Sequence, residues 1–512
     1  MKKIFKLIYS NKFFAFIMLL IQIAILAVGY VWLDGYGNYF MSASLILRLS
    51  LIIHEINRDD EPSFKLTWVI IIAIIPVFGA LFYLYTRAGF ITKSMQQAYK
   101  NTKVRIDPFL KQSDEILSEI EEKHESNAGF VKYLTNYGGA PVYKNTAVRY
   151  YPLGDYMFED MKKELQKAKD FIFLEFFIIN NQGRMWKEIL SILKQKVKEG
   201  VEVRVLYDGM GCMTTLPRGY AEELKKWGIK CAVFSPIQLL LSTYQNNRDH
   251  RKIMVIDGRC AFTGGINLAD EYINEHERFG HWKDNGVMLT GNAAAGFTGM
   301  FLEMWNIAAD EKTENYKKYI SASEVFLADA SGYTVPFCDS PLDNIYVGKQ
   351  AYIENLNSAK DYVYIMTPYL VVDNALYEAM KYASERGVDV KIIMPHTPDK
   401  PYAFWLARTY YPMLLRAGVK IYEYIPGFVH AKMSISDGKR AIVGTINHDY
   451  RSLYLHYECA AYMLDVPAIL DMEQDFMETL ASCMEITMEE YKKMNIFKRL
   501  FGRALKIIAP LL

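Results

Sequence analysis

Two histidines, each trailed at fixed spacing by a lysine and an aspartate–glycine pair, are the residues of this chain best suited to chemistry. The first set is His250-Arg251-Lys252 with Asp257-Gly258, and the second is His430-Ala431-Lys432 with Asp437-Gly438. The echo runs on into Gly264-Gly265-Ile266-Asn267 and Gly444-Thr445-Ile446-Asn447, at the same offsets from each histidine. An imidazole can act as nucleophile or as general acid and base. A lysine and an asparagine beside it can hold the non-bridging oxygens of an anionic group and stabilise charge in a transition state. The combination suits a phosphodiester. Two histidines on opposite sides of one phosphorus would allow in-line displacement, one attacking and the other passing a proton to the leaving alcohol and from the incoming one. The two lysines would supply the positive charge, so no metal and no cofactor is called for.

A histidine that attacks needs a partner for its second ring nitrogen. Asp284, in His-Trp-Lys-Asp, follows the first histidine by 34 residues, and Glu458, in Leu-His-Tyr-Glu, follows the second by 28. Each is a candidate for orienting an imidazole. Asp257 and Asp437 are grouped with the catalytic set by spacing, but a place in a turn also gives them a structural use. Asn267 and Asn447 are the phosphate-binding candidates, with capping as the other use of an asparagine ahead of a helix.

The surrounding pattern says how such residues are positioned. On a strand, alternate residues share a face, so His250 and Lys252 point one way while Ile253 and Val255 point to an apolar side. Asp-Gly is a strong hairpin signal. The chain should reverse at Asp257-Gly258 and at Asp437-Gly438 and bring Asn267 and Asn447 back towards their histidines. Upstream, each half repeats a helix-like stretch, an apolar strand (starting at Phe171 or Tyr362), a helix ending in glycine and a β-branched strand (after Gly200 or Gly387). Strands alternating with helices indicate an α/β fold of two pseudo-repeated halves, mixed sheets flanked by helices, sharing one active site.

The flanks point to a membrane. Phe13 to Leu33 is uncharged and long enough to span a bilayer, and Leu66 to Tyr85 is a second candidate, interrupted by Pro76 and Gly79. Tyr39 to Ile53, with Arg48 inside it, is weaker and is read as not crossing. Basic residues flank the pair (Lys2, Lys3, Lys6 and Lys12 before; Arg87, Lys93, Lys100, Lys103 and Arg105 after), and the loop between is acidic. Both basic flanks therefore belong on the cytoplasmic side, with the catalytic region. The expected organisation is a membrane anchor at 1–90 with spans at 13–33 and 66–85, a helical linker at 91–125, a first half at 126–320, a second half at 321–488 and a basic amphipathic tail at 489–512. From Tyr491 onward the tail has six basic residues and no acid, with apolar residues at helical spacing, which suits anionic lipid. The net charge of +1 and the lack of a basic–aromatic stripe argue against nucleic acid as a partner. Six scattered cysteines without a C-x-x-C pair fit a reducing compartment and core positions. Nothing in the sequence sets an oligomeric state.

The doubled motif with its trailing Gly-Gly/Thr-x-Asn resembles the phospholipase D superfamily over roughly residues 130 to 480, and more narrowly the bacterial cardiolipin synthases. The narrower likeness rests on the stretch from Asn57 to Arg87, on LEFFIINNQGR, on MTPYLVVD, on GGINLADEY and GTINHDYRS, and on the basic tail. Phe176 and Phe177 stand where tyrosine is common in that family, Asn181 where an acid is expected, and His456 where asparagine is frequent. The resemblance implies a phosphatidyl transfer between two phosphatidylglycerol molecules at an anionic membrane, giving cardiolipin and glycerol through a phosphohistidine. It puts His250 as nucleophile and His430 as general acid and base, with the reverse open. Hydrolytic phospholipase D action, another acceptor such as phosphatidylethanolamine, a membrane-tethered nuclease and a scaffold without activity are the competing readings.

Overall fold

The computed structural model describes residues 37–75, 77–87, 90–235, 247–309, 311–320 and 330–511, which fall into two compact units. The span expected at 13–33 lies outside the described residues. In the first unit three helices follow one another, α1 (Gly37–Ile56), α2 (Pro62–Ile74) and α3 (Phe78–Arg87). The single span expected over 66–85 is thus two helices, of 13 and 10 residues, each short of the ~20 that cross a bilayer. The break falls at residues 75–77, where the sequence has a proline without an amide to donate and Val77 has φ 60°. The stretch read as not crossing belongs instead to α1, whose residues Asn38–Ile56 are long and apolar enough to do so. Leu51, Trp68, Ile72, Ala80 and Tyr83 pack these helices together, and the Tyr83 hydroxyl donates to the buried Glu55 carboxylate at 2.7 Å.

The second unit holds the catalytic motifs. Its first half carries β1 (Thr146–Tyr151), β2 (Phe171–Phe176), β3 (Glu202–Asp208), β4 (Lys230–Phe234), β5 (Arg248–Asp249), β6 (Lys252–Ile256), β7 (Cys260–Gly264), β8 (His281–Lys283) and β9 (Gly286–Gly291). The second carries β10 (Tyr333–Asp339), β11 (Tyr362–Met366), β12 (Asp389–Pro395), β13 (Lys420–Tyr424), β14 (Gly427–Val429), β15 (Met433–Ser436), β16 (Arg440–Gly444), β17 (His456–Leu464) and β18 (Cys483–Glu485). The two large sheets run β1-β9-β7-β6-β2-β3-β4 and β10-β17-β16-β15-β11-β12-β13, the latter extended by β18. The orders match strand for strand, so the sequence repeat is a repeat of topology. Both sheets are mixed: β2, β3 and β4 pair in parallel, as do β11, β12 and β13, and the hairpins run antiparallel.

Local sequence explains these elements. The run Phe-Ile-Phe-Leu-Glu-Phe of β2 is buried at every position, as befits a strand covered on both faces. Helix Arg184–Lys198 buries Met185, Trp186, Ile189 and Leu193, one stripe at helical spacing. Helix Ala294–Ala308 is buried on all sides through Asn306 and touches strands of both sheets, a shared central layer. At each hairpin, Asp and Gly both take positive φ (53° and 64° in each copy), the primed turn that matches strand twist.

Two boundaries differ from expectation. Residues 91–125, read as a linker, pack into the catalytic unit: Gln96 Nε2 donates to Leu342 O at 2.9 Å, and Gln112 Oε1 accepts from Val142 N at 2.9 Å. Helix Glu125–Tyr137, expected at the start of the first half, lies on the second, with Phe130 edge-on to Tyr462 at 5.1 Å. The tail forms helix Ile496–Leu505 against helix Pro401–Arg408, with Phe501 edge-on to Trp405 at 5.7 Å, yet Phe497 stays 77% exposed.

Candidate active site

The halves exchange strands at the motifs. β5, immediately ahead of His250, pairs in parallel with β17 of the second half. β14, ahead of His430, pairs in parallel with β8 of the first half. The exchange continues into the histidines, since His250 N donates to Tyr457 O at 3.0 Å and His430 N to Lys283 O at 2.7 Å. One residue further along each foreign strand stands a carboxylate.

Those carboxylates hold the imidazoles across the halves. His250 Nδ1 lies 2.9 and 3.0 Å from the two oxygens of Glu458, and His430 Nδ1 lies 2.7 Å from Asp284 Oδ2. The two acids singled out from sequence do touch the histidines, but each serves the histidine of the other half rather than the one it follows in the chain. The physical reason is the strand exchange. An Nδ1 held by a carboxylate carries the proton there and leaves Nε2 as the ring's reactive nitrogen.

The lysines behave alike. Lys252 Nζ donates to His250 O at 2.7 Å, and Lys432 Nζ donates to His430 O. Both are buried, and burial pushes Lys252 down to about 8 and Lys432 to about 7. Burial also pushes His430 down to about 4, aided by Lys432 and opposed by Asp284. His250 is driven well below the usual imidazole range by burial first, then by Lys252, Lys432 and His430. Burial works to raise Asp284, but His430 and Lys432 hold it below the ordinary carboxylate value. The two sets therefore sense one another as a single buried electrostatic cluster, primed for an anion that would return charge to the ammoniums.

The turn aspartates do other work. Asp257 accepts from the amides of Lys169, Asp170 and Phe171 at 2.9, 2.8 and 2.9 Å, and Asp437 from those of Lys360, Asp361 and Tyr362 at 2.9, 2.9 and 3.1 Å. Each pins its hairpin to the start of the neighbouring strand. Of the two uses that spacing and the turn allowed them, these hydrogen bonds serve the structural one: the carboxylates are engaged by backbone, at the far end of the strand from the imidazole. Asn267 is partly engaged too, accepting from Ile178 N at 3.0 Å and donating to the Tyr272 hydroxyl at 2.8 Å. Asn447 is buried with its amide oxygen unpartnered.

Several residues around the site escaped sequence reasoning. Tyr272, Trp282 and Phe428 surround the His430 ring at centroid distances of 5.4, 5.3 and 5.9 Å. Phe177 is edge-on to His250 at 5.0 Å. Ser452 Oγ donates to Glu458 Oε1 at 2.6 Å, and Thr445 Oγ1 donates to Glu458 Oε2. Thr445 carried a signal, as the one polar departure from Gly265 in the otherwise repeated Gly-x-Ile-Asn. Tyr272 and Trp282 carried none, because their partner ring comes from the other half.

Known proteins echo this arrangement. The family described as "Cardiolipin synthase, PLD-like domain" matches residues 161–305 and 352–480, and the phospholipase D-nuclease N-terminal family matches residues 46–87. An uncharacterised protein of Streptococcus mutans is 50% identical over 90% of this chain and 99% of its own length. Cardiolipin synthase 2 of Bacillus cereus is 34% identical over 89% of this chain and 88% of its own. Among solved structures, phosphatidylserine synthase of Haemophilus influenzae aligns with a TM-score of 0.56 at 14% identity, covering 76% of this chain and all of the other, a likeness of fold.

Proposed function

Because this chain belongs to the phospholipase D-like cardiolipin synthase family and is an enzyme of that kind, we propose that it transfers a phosphatidyl group from one phosphatidylglycerol to a second, releasing glycerol and forming cardiolipin. One observation carries the reading: two imidazoles, each held at Nδ1 by a carboxylate from the opposite half, share a buried cluster with two ammoniums. In the first step His250 Nε2 attacks phosphorus, the bond to the glycerol oxygen breaks, and His430 gives that oxygen its proton. In the second, the acceptor hydroxyl loses its proton to His430, attacks phosphorus, and the P–N bond breaks. Lys252, Lys432 and Asn447 hold the non-bridging oxygens. The negative phosphodiester raises the proton affinity of the imidazole that must act as acid.

The division of labour follows from the surroundings. His430 sits among three aromatic rings and beside the Asp284 carboxylate, surroundings that favour a cation. His250 is held neutral by burial first and then by Lys252 and Lys432, which suits the nucleophile. Asp257 and Asp437 act on the scaffold. The anchor unit and the basic helix Ile496–Leu505, with Ile496, Phe497 and Leu500 exposed, keep the catalytic unit on anionic lipid, with the basic flanks on the cytoplasmic side.

The test is turnover of labelled phosphatidylglycerol in vesicles. Cardiolipin and glycerol are expected in equal amounts, with no water-derived phosphatidic acid, and without a need for phosphatidylethanolamine. Each of His250→Ala and His430→Ala should lose turnover by roughly 10⁴-fold, and with a nitrophenyl phosphatidyl ester, whose leaving group needs no proton, His430→Ala should accumulate an acid-labile phosphoenzyme that His250→Ala cannot form. Undiminished cardiolipin from His250→Ala, or phosphatidic acid as the main product, would overturn the proposal.

A further inference from the structure

Beside the His250–Glu458 pair stands a third ligand-type side chain that the proposed chemistry does not use. The His456 ring lies 5.4 Å from the His250 ring, and its Nδ1 is 3.7 Å from Glu458 Oε1, beyond hydrogen-bond reach. Both its nitrogens are buried and have no hydrogen-bond partner. Buried imidazoles ordinarily find partners, so two orphaned nitrogens on one ring call for an occupant. One donor atom from each of His250, His456 and Glu458 lies within 4.8 Å of the others.

We propose that His250, His456 and Glu458 form a binding site for a divalent transition ion of the zinc class, and that occupation of this site switches the enzyme off. Two imidazoles and a carboxylate are a ligand set such ions favour. Bonds of about 2.0–2.2 Å at tetrahedral angles place ligand atoms about 3.3–3.5 Å apart. The measured separations of 2.9 Å from His250 to Glu458 and 3.7 Å from His456 to Glu458 bracket that spacing. The carboxylate is already fixed by Ser452 and Thr445, so a ring rotation at His456 is the main adjustment.

Inhibition follows from tautomer chemistry and rests on the reading of His250 as nucleophile. With Glu458 as partner, His250 keeps its proton on Nδ1 and its lone pair on Nε2. An ion bound at Nδ1 takes that nitrogen's lone pair, so the single proton of the neutral ring moves through solvent from Nδ1 to Nε2, where no lone pair is then left for phosphorus. The ion enters as a reversible ligand and changes no oxidation state.

The experiment uses the full chain in lipid nanodiscs, stripped with chelator and titrated with Co²⁺ as spectroscopic probe and Zn²⁺ as inhibitor. One Co²⁺ per chain with tetrahedral d–d absorption is expected, absent in His456→Asn. Zn²⁺ should half-inhibit the wild type at a concentration at least tenfold below that needed for His456→Asn, whose metal-free turnover stays within a few-fold. His456→Gln replaces the asparagine variant if melting shows the latter unfolded. Equal Zn²⁺ sensitivity, or a Co²⁺ spectrum that survives both substitutions, overturns the site. A His456-dependent spectrum without inhibition upholds the site and overturns the nucleophilic role of His250, so the two readings fail separately.

Discussion

His250 and His430 occupy matching places in halves of matching strand order, and the company each keeps is different. Glu458, the partner of His250, is held by two hydroxyls, from Ser452 and Thr445. Asp284, the partner of His430, is held by its neighbour's amide, Asn285 N at 2.9 Å, and by the Trp282 indole at 3.3 Å. Around His250 lie one aromatic ring, edge-on, and a second imidazole; around His430 lie three aromatic rings. A duplicated scaffold has thus kept its geometry and let the electrostatics of its two imidazoles diverge. One side suits a ring that stays neutral until it attacks, the other a ring that must become cationic and return. The crossing of the carboxylates also makes the halves interdependent, because neither histidine is oriented without the opposite half in place.

The largest effect that can sharpen this comparison comes from removing each carboxylate's charge. Glu458→Gln and Asp284→Asn should each lower kcat roughly a thousandfold, by loosening the tautomer of one imidazole. The substrates then separate them. A phosphatidyl ester of nitrophenol needs no proton on its leaving oxygen. Asp284→Asn should recover most of its rate of first-turnover nitrophenol release on that substrate, and Glu458→Gln should not. Recovery by the glutamine variant instead would exchange the roles of the two halves.

A smaller effect tests why Gly265 and Thr445 differ. A Cβ at residue 265 would stand 2.0 Å from Asp284 Oδ1 and 2.9 Å from His430 O, so only glycine leaves room for the aspartate. Gly265→Ala should push Asp284 off His430 and lower kcat by about 10- to 100-fold, with the Asp284-type rescue by a nitrophenyl leaving group. Thr445→Ala removes one of two hydroxyls from Glu458, and a loss of a few-fold is expected. Comparable losses in both variants would mean that the two carboxylates are supported alike, against the contrast drawn here.

Much of this site was legible in the chain. The paired His-x-Lys sets, the Asp-Gly hairpins and the repeated strand–helix pattern are local signals, and the matching sheet orders follow them. Asp284 and Glu458 were legible as imidazole partners by residue type. Which histidine each serves was not, because β5 meets β17 and β8 meets β14 across long stretches of chain, and no periodicity encodes such a pairing. The Tyr272 and Trp282 walls around His430 were hidden for the same reason. Residues 91–125 read as a connector because their charges dominate the composition, yet Ile106 and Ile120 are buried and bind the segment to the catalytic unit. The hydrophobic run at 66–85 hid a break at residues 75–77, since hydropathy is blind to an absent amide.

The smallest expected effect concerns the turn aspartates, and it falls on stability rather than turnover. Asp257→Asn and Asp437→Asn each weaken three amide-to-carboxylate hydrogen bonds and should cost about 1–3 kcal/mol of folding free energy. Neither should change kcat per folded molecule by more than a few-fold, if the carboxylates only pin the hairpins. The halves differ here as well: Asp437 also pairs with Arg440 Nη2 at 2.6 Å, where the equivalent position of the first half is Cys260. Burial works to raise the Asp437 value, but the amides of Asp361, Lys360 and Tyr362 together with Arg440 hold it below the usual carboxylate range. A folded value depressed below the unfolded one contributes stability that is complete above the unfolded value and is lost as pH falls through the folded one. The difference in melting temperature between wild type and Asp437→Asn should therefore be constant near neutrality and shrink below about pH 4, the unfolded aspartate value. A gap that persists unchanged in acid, or a collapse of kcat at neutral pH with melting intact, would return Asp437 to the chemistry and leave the pinning role without support.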